Sequence, residues 1–159
     1  MRGPRGEDGV GAAASAVYGF KHLTGSSAEY YEAVTGPVIK LESGGVLEGV
    51  GEDLEGAMIA REDGVYEIRY MVRVQEVEQA SAMSVGVTRN GVAFEGDFPA
   101  KQVVGMTDQQ GMPIPATFEG IMVERLRQGD ALRLEHDASC VIWLQQGRSA
   151  LLYLHRLGD

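Results

Sequence analysis

The apolar residues of this chain recur with a period of two far more clearly than with any helical period. Between Gly64 and Val74, Tyr66, Ile68, Tyr70, Val72 and Val74 alternate with Glu67, Arg69, Met71 and Arg73. β-Branched and aromatic residues on one face, with charges on the other, predict a half-buried antiparallel strand. Asp63-Gly64 supplies the turn before it. Met83, Val85 and Val87 alternate in the same way with Ser84, Gly86 and Thr88, and Asn90-Gly91 then predicts a type I′ hairpin turn.

Further strands are predicted at Ser15–Phe20, Val38–Leu41, Met58–Ala60, Phe118–Leu126, Ala131–Glu135, Ser139–Gln145 and Ala150–Leu157. Arg127-Gln128-Gly129-Asp130 is a turn. Residues 96–116, with Pro99, Pro113 and Pro115, form a long loop with a short edge strand at Gln102-Val103-Val104. Eight to ten short strands with no helix predict an all-β, antiparallel sandwich or jelly roll.

Two strands are apolar on both faces. In the last, Leu151, Tyr153, His155 and Leu157 point one way, and Leu152, Leu154 and Arg156 the other. Val141 and Trp143 oppose Cys140, Ile142 and Leu144 in the same manner. A sandwich interior covers only one face of such a strand, so the other needs a second cover. Trp143, Leu151, Leu152, Tyr153 and Leu154 are therefore the candidates for core or subunit interface. Arg133 and Glu135 fall on the face of their strand expected to be exposed.

A chain of 159 residues is long enough for one domain with its own core. Its formal net charge of −9 argues against nucleic acid and anionic membranes as partners. No segment approaches the roughly 18 apolar residues of a membrane span, so membrane insertion is not expected. Gly3, Gly6 and Gly9 keep glycine in every third place, the period of a collagen triple helix. Residues 1–14 are accordingly expected to be a collagen-like stub, with Met1 a start placed on a fragment, and residues 15–159 the globular head.

Catalytic chemistry finds little footing. His136-Asp137 could be half of a catalytic pair, but no Gly-x-Ser-x-Gly elbow accompanies it, and it reads as a surface turn. Cys140 is the only cysteine and reads as a small buried hydrophobe on a strand. It allows no disulfide, and one Cys with three scattered His builds no zinc site. Glu52-Asp53 and Glu62-Asp63 read as solvated turn carboxylates; a calcium site from Glu48, Glu52, Asp53 and Glu55 is the alternative. The expectation is a protein with no catalytic residue, metal or cofactor.

Gly64-Val65-Tyr66-Glu67-Ile68-Arg69-Tyr70 resembles the central strand of the jelly-roll superfamily shared by complement globular heads and tumour-necrosis-factor-like ligands. Val87–Gly96, Phe118–Ile121 with Leu126–Leu134, and Ala150–Leu157 follow in the order seen in one branch. These are the heads of collagen-like exosporium glycoproteins of spore-forming bacteria (the BclA type). Glu95 departs from the proline common there. The resemblance implies a homotrimer, a non-enzymatic head that nucleates and caps a collagen-like filament on a spore or cell surface, outside the cell, and mediates adhesion. The alternative it leaves open is a secreted ligand whose loops bind a receptor or glycan.

Overall fold

The computed structural model describes residues 16–24, 32–94 and 99–159, and among them every regular element is a strand. The collagen-like stub expected at residues 1–14 lies outside the described residues. Fifteen strands are present: β1 (Tyr18–Thr24), β2 (Glu32–Val34), β3 (Val38–Ile39), β4 (Val46–Glu48), β5 (Val50–Glu52), β6 (Met58–Ala60), β7 (Gly64–Val77), β8 (Ser81–Met83), β9 (Val85–Arg89), β10 (Val92–Ala93), β11 (Gln102–Val104), β12 (Ala116–Leu126), β13 (Ala131–His136), β14 (Ile142–Leu144) and β15 (Arg148–Gly158). The longer ones are those the alternation predicts. The rest are mostly edge pieces of two or three residues, too short to show a period.

The strands form two antiparallel sheets packed face to face, plus a small β8–β11 pair. The first sheet runs β2-β14-β7-β15-β1-β4, with β12 also on β7. Val74 pairs with Ala116 of β12 and with Leu144 of β14, so these lie on opposite edges of β7. β15 therefore continues β14 along the same edge. The second sheet runs β10-β9-β13-β6-β5, with β3 beside β13. Asn90 and Gly91 both take positive φ (55° and 84°), the backbone that a type I′ turn requires.

The core follows from parity along these strands. β7 points Tyr66, Ile68, Tyr70, Val72 and Val74 inward, all buried, and β15 adds Ala150, Leu152 and Leu154. The second sheet answers with Met58, Val85, Val87, Leu132 and Leu134. Gly120 of β12 lies opposite Tyr70, and a Cβ there would come within 2.7 Å of the tyrosine ring. Glycine at 120 is what lets the ring lie flat against its neighbour strand. Beyond Val74 the register with β14 slips, so Gln75 is an extra residue and Val77 is the next to turn inward.

Several expectations need correction. Cys140 is not on a strand: it lies in a bend ahead of β14, half-exposed, because pairing with β2 and β7 starts only at Ile142. His136 ends β13 in the interior, 4% exposed, rather than in a surface turn. Arg133 is not free on an exposed face: its Nη2 reaches Asp53 at 2.7 Å. Glu135 accepts a hydrogen bond from the Thr88 hydroxyl of the neighbouring β9.

Leu154→Ala should lower stability by about 2–5 kcal/mol, since the side chain is removed from a filled interior. Val92→Ala, on an exposed hairpin, should cost under about 0.5 kcal/mol. Urea unfolding at fixed protein concentration measures both. Equal losses would mean the faces of β15 are assigned the wrong way round.

Candidate functional site

Parity that fills the core also dictates what the opposite face of the first sheet presents. Outward from β1 come Tyr18, Phe20 and His22, and from β15 Leu151, Tyr153 and His155. Cross-strand register sorts them into rows. Phe20, Tyr153, Arg69 and Ile121 make one; Tyr18, His155, Glu67 and Val123 make the next; His22, Leu151, Met71 and Glu119 make a third. Val46 of β4 extends the Phe20 row.

This face is apolar, aromatic and left uncovered by the described residues. Ile121 is 64% exposed, Val123 56% and Val46 57%, while the aromatic residues beside them are half-buried. Phe20 stacks on His22 with ring centroids 5.9 Å apart, and the Arg148 guanidinium lies 5.6 Å from the Phe20 ring centroid. Tyr153 and His155 are tilted neighbours at 6.3 Å. The central charges neutralise one another: Arg69 donates to Glu67 at 2.6 Å. Such a surface can bind another apolar surface with little loss of charge solvation.

The sequence candidates divide over the two sides of the sheet. Leu151 and Tyr153 stand on the uncovered face, whereas Leu152 and Leu154 are core. Trp143 is half-buried next to Ala33 and Glu76, at the β14 end of the sheet and away from the Tyr153 rows. Tyr18, Phe20, Ile121 and Val123 belong to the face but were not among the candidates. The alternation of Tyr18, Phe20 and His22 was their signal. Ile121 and Val123 needed the pairing of β12 with β7.

Charged clusters elsewhere are consumed by the fold. Lys21 is fully buried on the inward side of β1, and its Nζ donates to the Glu52 carboxylate and to the Gly44 carbonyl. Glu52 also accepts from the Gly44 N–H; these bonds, that from Lys21 foremost, hold its carboxyl below the usual range. Asp53 caps its own loop through the N–H groups of Glu55 and Ala57, both at 2.9 Å, and pairs with Arg133. Glu52 and Asp53 are thus ion-pair partners of protein cations rather than free turn carboxylates, Glu52 from an exposed position at the end of β5. The described residues contain no cluster of His, Cys, Asp and Glu suited to a metal.

His136 and Asp137 do not act on each other as a catalytic pair would. Asp137 accepts from the Ser84 N–H at 2.7 Å and lies 3.4 Å from Lys101. The imidazole Nε2 meets the Gly36 carbonyl at 2.7 Å, and Nδ1 accepts from the Ala138 N–H at 3.1 Å. That fixes a neutral ring with its proton on Nε2. Burial pushes the His136 pKa down from the ordinary imidazole value.

No family model and no curated protein sequence matches the chain. Solved structures do. The tumour necrosis factor Eiger of S. frugiperda superposes with a TM-score of 0.61 over 92% of this chain and 95% of its own, at 12% identity. The chain has the tumour-necrosis-factor-like jelly-roll fold. At that identity the likeness carries the architecture alone.

The neutral state of His136 has a consequence for pH. Its folded pKa lies below the unfolded value near 6.5, so the unfolded chain binds more protons below that pH. This contribution is complete above about pH 6.5 and is lost as pH falls below it. Urea unfolding from pH 7.5 to 5.5 should show stability falling with acid, and His136→Gln should flatten that slope. An unchanged slope in the variant would place the titrating group elsewhere.

Proposed function

We propose that this chain is a non-enzymatic, self-associating head, and that three copies close into a ring through the uncovered face of the first sheet. The observation that carries it is the row Phe20–Tyr153–Arg69–Ile121 with its neighbours: ordered, largely apolar and left open by the other described residues. A surface of this kind on a soluble chain marks an interaction site. The jelly-roll fold supplies the scaffold, and cyclic closure uses up the open edge of β12, which would otherwise recruit further strands.

Such a head suits the end of a collagen-like filament. The Arg156 N–H donates to the Val17 carbonyl, so Val17 lies beside the end of β15. A stalk begun at Gly3, Gly6 and Gly9 would leave three heads from one common end, and the trimer would set its register. Capping and adhesion on a bacterial spore exosporium or other extracellular surface is the role this reading assigns.

Light scattering coupled to size exclusion at micromolar concentration should give three times 17.1 kDa. Tyr153→Asp and Ile121→Asp should each yield folded monomer, because both charges would enter the shared surface. A monomeric parent would sink the reading.

A further inference from the structure

We propose that the hairpin from Met106 to Ile114, between β11 and β12, is a clasp that seats on a second copy of this chain. This rests on the self-associating head above and names a part of its interface that lies beyond the sheet face. The hairpin is built to hold its shape without support. Ile114 N–H donates to the Met106 carbonyl at 2.9 Å and Asp108 N–H to the Met112 carbonyl at 2.8 Å, around the Thr107–Pro113 bridge. At the tip, the Asp108 carboxylate accepts from Gln110 and Met112 N–H groups, both at 2.9 Å, and Gly111 turns the chain at φ 77°. Internal bonding of this kind means that little ordering entropy remains to be lost on contact.

What the hairpin presents is apolar and without cover from the other described residues: Met106 is 54% exposed, Met112 61% and Ile114 49%. Its only charge, Asp108, is already engaged by backbone. Methionine adapts its shape to a partner surface, which suits a contact that closes last.

Continuity identifies the partner. Of the ten large hydrophobic side chains exposed among the described residues, six (Val103, Met106, Met112, Ile114, Ile121 and Val123) lie between Val103 and Val123. The hairpin runs through Pro115 directly into β12, whose Ile121 and Val123 belong to the uncovered face. The free edge of β12 is capped at its two ends only, by Gln102 on the Thr117 carbonyl and Arg89 on the Arg125 carbonyl. Thr117 and Arg125 thus turn their backbone groups away from β7, and by parity so do Glu119, Ile121 and Val123. Hairpin and edge follow one another along the chain, and the same strand carries Ile121 and Val123 into the face.

In the proposed ring the axis runs along the strands, so that rotation keeps every residue at its own height. Ala116 pairs with Val74 and Ala150 with Val72, so the hairpin stands just beyond the His22–Leu151–Met71 row. The clasp of one copy therefore meets the His22–Leu151 end of the next, while the Tyr18–His155 end stays clear of it.

Subunit exchange tests the clasp. Parent trimers of two isotopic masses are mixed and followed by native mass spectrometry, beside the variant M106S/M112S/I114S and the control V92S. The triple variant, folded by circular dichroism, should exchange at least about tenfold faster than the parent, and V92S should not differ. Asp108→Ala, which loosens the hairpin and leaves its apolar side chains intact, should shift exchange in the same direction by less. Trimers of the triple variant that exchange at the parental rate overturn the clasp and leave the trimer standing. A parent without trimers overturns the self-associating head itself.

Discussion

The inward row of β7 (Tyr66, Ile68, Tyr70, Val72 and Val74) is the constraint from which the rest of this structure follows. Five consecutive inward positions of one strand must all be dry, which forces strands against both of its edges and a second sheet across its face. β12 and β15 take the edges, each in antiparallel register over most of its length. Burying such side chains stabilises by roughly 1.5–3 kcal/mol each. A slip of one residue would exchange that gain for buried Glu67 and Arg69.

Fixing one face of the sheet fixes the other without further choice. Once Leu152 and Leu154 are inside, Leu151 and Tyr153 must be outside, and Phe20 and Ile121 are brought into line with them by register alone. The surface that results is ordered by the core beneath it, which is why it is flat, continuous and preformed. Interaction surfaces with such backing lose little freedom on binding.

The central strand and the two-sided character of β15 were legible in the sequence because alternation over many residues has no competing explanation. Short strands were less so: Glu32–Val34 and Val50–Glu52 are strands because β14 and β6 pair with them, not because of their own pattern. Non-local pairing also hid the burial of His136 and the roles of Glu135, Glu52 and Arg133, whose partners Gly36, Thr88, Lys21 and Asp53 lie 100, 47, 31 and 80 positions away along the chain. A charged residue in a turn looks solvated until the fold supplies its counterion. Likewise the loop at 96–116 gave no sign of the Asp108-capped hairpin, which depends on side-chain bonds to backbone that periodicity does not register.

Hydroxyl-radical footprinting at micromolar concentration tests most directly whether the open face is covered by other copies. Met71, Tyr153 and Ile121 should be shielded well below the labelling that their exposure in a single chain would give, and labelling should rise on dilution into the dissociated state. Exposed Val92 and Leu54, on neither surface, should label equally throughout. Full, concentration-independent labelling of Tyr153 and Ile121 would contradict the account.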